Sequence, residues 1–219
     1  LSSLPESGFD RTAFFYDRLA KLVFGSAQEN AQLALLPFIP AGARVLIIGG
    51  GSGWLLEQVL NCCSATNILY IDASPAMLTL ARKRYNRLAT TTTGRAAVEF
   101  RTGTEVAVKP EEQFEAIITP FLLDLFPPQR LSGLMKRLQA ALAPQGYWLF
   151  ADFWPVQQPT PRWQRLLLWS MYAFFGVLSG VKAKRLPDYQ QHFQQLRLHE
   201  TFSKSFYQQM IQAKVFQQP

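Results

Sequence analysis

The chain has 219 residues and a formal net charge of +7, with 48% hydrophobic and 13% aromatic residues. That length suits one domain, residues 1–219, with a full sheet-and-helix core, and that composition excludes a disordered or collagen-like chain. Cys62 and Cys63, the two cysteines, are adjacent, which excludes a disulfide framework and fits a reducing compartment, expected to be the cytoplasm.

Residues 1–10 lack the positively charged, then apolar, layout of a secretion signal. Residues 10–25 place Phe14, Phe15, Leu19, Leu22 and Val23 on apolar helical spacings, and 28–36 read as a second helix stopping near Pro37 and Pro40. Together 1–40 form an expected N-terminal helical cap. A buried strand follows at 44–48, a helix at 54–60, and a second strand at 68–72. Pro75 suits the first turn of a helix running to about 88, and 89–94 form a loop. Strands are expected at 97–101 and 115–119. A helix then opens at Pro127 or Pro128 and reaches about 143. Pro144-Gln145-Gly146 is a turn, and 147–152 a fifth strand. Residues 198–207 and 211–217 read as a hairpin. The alternation predicts an α/β, Rossmann-like doubly wound sheet of about seven strands, mostly parallel and ending in an antiparallel hairpin.

The most informative segment is Val45-Leu46-Ile47-Ile48-Gly49-Gly50-Gly51-Ser52-Gly53. Glycines straight after a buried strand let the backbone turn sharply and approach a ligand that a Cβ would exclude. The helix behind them aims its N-terminus at that ligand. Asp72, about 20 residues on, ends the second strand, where an acid accepts hydrogen bonds from ribose hydroxyls. These features describe a pocket for an adenosine-type cofactor. A dinucleotide fingerprint, G-x-G-x-x-G/A, would put its last position on Trp54 or Leu56, neither of them small. An NAD(P)-dependent oxidoreductase is therefore disfavoured.

The spacing present is G-x-G-x-G, at Gly49, Gly51 and Gly53. With Ile71-Asp72-Ala73-Ser74-Pro75-Ala76-Met77-Leu78, it resembles the class I S-adenosylmethionine-dependent methyltransferases. Tyr16-Asp17-Arg18-Leu19 resembles, more loosely, the opening of the quinone-biosynthesis C-methyltransferase branch. The resemblance implies S-adenosyl-L-methionine as cofactor, with S-adenosyl-L-homocysteine as product. It implies cofactor contacts at Gly49, Gly51, Gly53, Asp72, Ala73, Met77, Gly103, Thr104 and Thr119, and no metal. Two positions depart from the family pattern. Ile47 stands where the first strand usually carries an acid, and Thr104 replaces the acid that meets the adenine. They motivate an alternative, a non-catalytic cofactor-binding protein of the same fold.

The acceptor leaves a fainter trace. Tyr16, Asp124 and Asp152 are the candidate bases or orienting groups. Residues 166–181 are apolar nearly all round, with Arg162 and Arg165 before them and Lys182, Lys184 and Arg185 after. A helix there can be buried over the sheet, line an apolar acceptor pocket, or touch a membrane surface. It falls in a helical insertion, 160–195, after the fifth strand, where the resembled family places acceptor lids. The expected partner is a small-molecule or lipid-like acceptor, with peripheral membrane contact and no nucleic acid. Arg82, Lys83, Arg84, Arg87, Arg95 and Arg101 read as a solvated helix face plus a loop, without an RNA-binding motif. A basic surface equally favours anionic headgroups. His192 and His199 read as surface or core residues.

Overall fold

The computed structural model describes residues 23–65, 67–89, 96–156, 160–179 and 186–219, with 89 and 171–179 by backbone alone. The expected helix at 10–25 is described only from Val23 on, and Tyr16 with its neighbours lies outside the described residues.

Seven strands form one sheet: β1 (Arg44–Ile48), β2 (Asn67–Asp72), β3 (Ala97–Thr102), β4 (Phe114–Pro120), β5 (Leu142–Phe153), β6 (His199–Phe206) and β7 (Ile211–Gln217). Their spatial order is β3-β2-β1-β4-β5-β7-β6. The first five are parallel, and β7 pairs antiparallel with both β5 and β6. The helices are α1 (Ala27–Leu33), α2 (Trp54–Cys62), α3 (Pro75–Ala89), α4 (Pro128–Ala140), α5 (Arg162–Ser179) and α6 (Tyr189–Gln195).

Strand alternation divides the core into two layers. Val45 and Ile47 of β1 pack with Ala31 of α1, Leu55, Leu56 and Val59 of α2, and Leu78 and Ala81 of α3. Leu46 and Ile48 pack on the opposite face with Leu131, Leu134 and Leu138 of α4 and Phe193 of α6. Strand order reverses between β1 and β4, and ligands of open α/β sheets bind at the carboxyl ends beside such a reversal.

Several local expectations are corrected. The second helix ends at Leu33, and Pro37 starts no further α-turn but sits in a single 3-10 turn, Leu36–Phe38. Pro144-Gln145-Gly146 does not separate α4 from β5. The strand begins at Leu142, and its pairing jumps from Phe114↔Leu142 to Ala116↔Tyr147. The three residues sit in that irregularity, with Gln145 at φ +58°. The arginines are not all solvated. Arg84 pairs with Glu57 and donates to the Ser52 carbonyl. Arg101 pairs with Glu99 and Glu112, and its guanidinium holds the Glu112 carboxyl down at about 2. Arg95 lies outside the described residues.

The helix expected to be apolar all round is not buried all round. Over 162–170, Gln164 is buried and Leu167 and Leu168 half-buried, whereas Trp163, Leu166 and Trp169 are exposed. Among the described residues no helix is long and apolar enough to cross a membrane.

Candidate active site

The glycine loop leaves β1 at the sheet's carboxyl edge, and each glycine there answers a different constraint. A Cβ on Gly49 would come within 2.7 Å of the Leu122 side chain, one on Gly50 within 2.5 Å of the Tyr70 hydroxyl, and one on Gly53 within 2.7 Å of the Ala81 backbone. Those three are demanded by packing. Gly51 is different: at φ +64° its Cβ would meet nothing within 4 Å. Its backbone faces open space, as a cradle for a closely approaching ligand requires.

Three groups hold this loop. The Tyr70 hydroxyl donates to the Gly51 carbonyl at 2.8 Å, and Arg84 Nε donates to the Ser52 carbonyl at 3.1 Å. The Gly51 N–H donates to Asp72 Oδ2 at 2.9 Å. The other oxygen of Asp72 accepts the Ser74 N–H at 2.9 Å. Ser74 in turn caps α3, its Oγ accepting the Met77 N–H at 3.2 Å, as expected of a serine three residues before the bonded amide. Burial pushes the Asp72 carboxyl above its ordinary value, against the two N–H groups that pull it down. Each of its oxygens has a further lone pair for a ribose hydroxyl. Ala73 is half-buried beside it and Met77 buried. Gly103, at φ +147°, donates its N–H to the Asp72 carbonyl and leads into Thr104, which is half-buried. Glycine loop, Asp72 and the Gly103 turn are thus tied together by hydrogen bonds at the carboxyl ends of β1, β2 and β3.

Beyond β4 the chain turns at Phe121, held at φ +50° with its N–H on the Ala151 carbonyl. The next residues bring two candidates together. Asp152, on β5 and fully buried, accepts the N–H groups of Leu123 and Asp124 on Oδ2, at 3.0 and 3.2 Å, and that of Phe153 on Oδ1. The Asp124 carboxyl is also buried and hydrogen-bonds to Asp152. Burial pushes Asp124 up to about 7, and burial with the neighbouring charge of Asp124 pushes Asp152 up as well. Two carboxyls in contact share one proton. The pair holds that proton jointly, and the three backbone donors on Asp152 work against the effect of its burial. Asp124 Oδ1 has no hydrogen-bond partner.

Residues 45–146 match the methyltransferase domain family. That match spans a little under half of the chain and agrees with the resemblance carried by the glycine loop and Asp72. No curated protein sequence matches this chain. Solved structures share its fold at low identity. The N-methyltransferase NodS from Bradyrhizobium japonicum WM9, in complex with S-adenosyl-L-homocysteine, is 15% identical, with 87% of each chain covered and a TM-score of 0.63. A Burkholderia thailandensis 1,6-didemethyltoxoflavin-N1-methyltransferase, with that acceptor and S-adenosylhomocysteine bound, is 16% identical over 100% of this chain and 91% of the other, TM-score 0.65. An O-methyltransferase family 2 protein from Planctomyces limnophilus DSM 3776, in complex with apigenin, is 15% identical over 98% and 62%, TM-score 0.67.

Sequence reasoning missed Tyr70 in this chain. The available signal was an aromatic hydroxyl in an otherwise aliphatic strand, two residues before Asp72. It also misplaced Thr119, which is fully buried with its hydroxyl accepting the Trp148 indole N–H at 3.0 Å. Its side chain is enclosed in the core rather than turned to a cofactor. Ile47 is likewise wholly buried and packs in the α1–α3 layer. No nearby acid replaces Thr104: Glu105 is directed to Arg130 of α4, 3.6 Å away. His192 is half-buried on α6, and His199 is exposed at the start of β6. Among the described residues no group of His, Cys, Asp and Glu could hold a metal.

Proposed function

We propose that this enzyme transfers the methyl group to a small hydrophobic or lipid-like acceptor and works in the cytoplasm at the periphery of a membrane. The observation that carries the acceptor class is a chain of aromatic rings at the carboxyl edge of the sheet. Phe121 meets Phe153 at 5.4 Å between centroids, Phe153 meets Phe24 at 5.1 Å, Phe24 meets Tyr207 at 5.1 Å, and Tyr207 meets Trp163 at 6.2 Å. Stiff aromatic surfaces suit a flat ring or an alkyl chain. Apigenin and 1,6-didemethyltoxoflavin, in the two neighbouring structures above, are ring compounds too. The unpaired thiols Cys62 and Cys63 agree with a reducing compartment.

S-adenosylmethionine supplies a methyl that its sulfonium already makes electrophilic. The protein's own task is alignment, which contributes on the order of 7–11 kcal/mol when an acceptor atom is held in line. We assign cofactor binding to Gly49, Gly51, Gly53, Asp72, Ala73, Met77, Gly103 and Thr104, with Asp72 on the ribose hydroxyls. Of the expected cap at 1–40 and lid at 160–195, the parts assigned to cover the aromatic edge are the described ones, 23–40, 160–179 and 186–195. Above about pH 7, once the Asp124–Asp152 pair has lost its shared proton, Asp124 accepts the proton of a phenolic or enolic acceptor; such a base is worth roughly 10²–10⁴-fold. Tyr16 is the other candidate.

The test incubates the full chain with methyl-labelled S-adenosylmethionine and a panel of prenylated phenols, flavonoids and hydrophilic alcohols. Label should enter the hydrophobic phenols and be blocked by S-adenosylhomocysteine. Normal S-adenosylhomocysteine binding with no label in any hydrophobic acceptor would refute the acceptor class and favour a non-catalytic cofactor-binding role.

A further inference from the structure

We propose that the outward face of α5 docks this methyltransferase on an anionic lipid surface. At about 100° per residue, the first half of α5 sorts its side chains into two opposed arcs. The inner arc carries Gln164, Leu167 and Leu168. The outer arc carries Arg162, Trp163, Arg165, Leu166 and Trp169, all exposed. The usual pattern of a surface helix is inverted. The polar Gln164 is 1% exposed and donates to the Gln208 carbonyl at 3.1 Å, while Trp163, Leu166 and Trp169 are 41%, 65% and 68% exposed. Scattered surface apolar residues need no explanation, but a tryptophan–leucine–tryptophan stripe on one helix face does.

Charge identifies the occupant. From Phe153 to Pro187 the sequence contains no Asp or Glu, and it contains Arg162, Arg165, Lys182, Lys184 and Arg185. Arg162 and Arg165 stand within the exposed stripe itself. Tryptophan and leucine set among arginines match the boundary between anionic headgroups and acyl chains, where tryptophan favours the interface and arginine pairs with phosphate. A water-soluble protein partner of ordinary composition would not require the long stretch without acids. The position also fits. Trp163 belongs both to this stripe and to the ring chain that leads through Tyr207, Phe24 and Phe153 to Phe121, beside the glycine loop. Docking on this face would bring the aromatic edge of the sheet next to the lipid. The inference deepens the lipid-like reading of the acceptor, but it stands on the helix face.

The test measures co-sedimentation of the full chain with phosphatidylcholine vesicles, with and without phosphatidylglycerol, at low and high salt. The protein should bind the anionic vesicles, release them as salt rises, and show blue-shifted tryptophan emission when bound. Leu166→Ser with Trp169→Ser should weaken binding by about tenfold or more. Arg162→Glu with Arg165→Glu should abolish the preference for anionic lipid. All four positions are exposed, so melting temperature and S-adenosylhomocysteine affinity should stay unchanged. Equal vesicle binding by wild type and both double variants would overturn the proposal, as would no binding by the wild type. A concentration-dependent dimer that forms without lipid and is abolished by the same serine substitutions would overturn it in favour of a second copy of the chain. Intact S-adenosylhomocysteine binding in those cases would leave the methyltransferase reading standing. Vesicle binding without S-adenosylhomocysteine binding would do the reverse.

Discussion

Asp124→Asn should make the protein less sensitive to rising pH. In the wild type, burial moves the Asp124 carboxyl from 3.8 to about 7, roughly three pK units and on the order of 4 kcal/mol between its two forms. The folded state keeps a proton that the unfolded chain releases near pH 4. The associated stability is therefore complete below about pH 4 and is lost as pH rises through about 7. Glu112 acts with the opposite sign, since it is held down at about 2. Its contribution is complete above about pH 5 and is lost only in acid. Between pH 5 and 8 the buried acids alone decide the slope. Asp72, also raised by burial, tilts it the same way, so the pair is isolated by comparing the variant with the wild type. In Asp124→Asn the new side-chain amide would donate to Asp152, replacing the shared proton with a permanent donor and removing the adjacent carboxyl charge. The carbonyl oxygen of that amide would take the place of Oδ1, which already lacks a partner. Urea melts at pH 5 and pH 8 measure the effect. About two of the three units lie between pH 5 and 7, so the wild type should lose about 3 kcal/mol over that interval, and Asp124→Asn distinctly less. Identical losses in the two proteins would refute the shared proton.

Gly51→Val should abolish S-adenosylhomocysteine binding in calorimetry, because a branched side chain would fill the open approach and strain a backbone at φ +64°; an unchanged dissociation constant would place the cofactor elsewhere. Asp72→Ala should weaken binding at least tenfold, since charge-assisted hydrogen bonds are worth about 1.5–3 kcal/mol each. It should also lower the melting temperature, because the Gly51 and Ser74 N–H groups lose their acceptor. Tyr70→Phe removes only the hydroxyl on the Gly51 carbonyl and should cost about 1 kcal/mol of cofactor affinity, with catalytic rate at saturating cofactor unchanged. Asp152→Ala strips three backbone N–H groups of their acceptor. It should destabilise the fold by about 3 kcal/mol or more, with faster hydrogen exchange at Leu123 and Asp124 as the local readout.

The glycine loop and the acid that holds it were legible in the sequence because their constraints act on residue type at short range. A Cβ-free turn must be glycine, and the acid must end the next strand, so Gly49, Gly51, Gly53 and Asp72 mark themselves whatever surrounds them. The strands were legible because a parallel sheet covered on both faces demands unbroken apolar runs. The acceptor side was not legible in the same way. Asp124 and Asp152 stood out singly, but their contact depends on the β4–β5 register and on a turn at Phe121 that its sequence does not announce. Thr119 was misjudged because a position at a strand end says nothing about which face its side chain takes; register opposite Phe150 and a bond from Trp148 enclose it. The helix at 162–179 misled for a related reason. Composition marked it as apolar, and apolar suggested buried, yet one polar residue sits inside and two tryptophans outside. In a chain whose tertiary partners are unknown, periodicity reports that a helix has two faces; which of them is covered is set by long-range contacts, here Leu167 and Leu168 on the core and Gln164 on the strained Tyr207–Gln209 turn. The least legible residues are thus the ones set by long-range packing, and these cluster at the edge where an acceptor would bind.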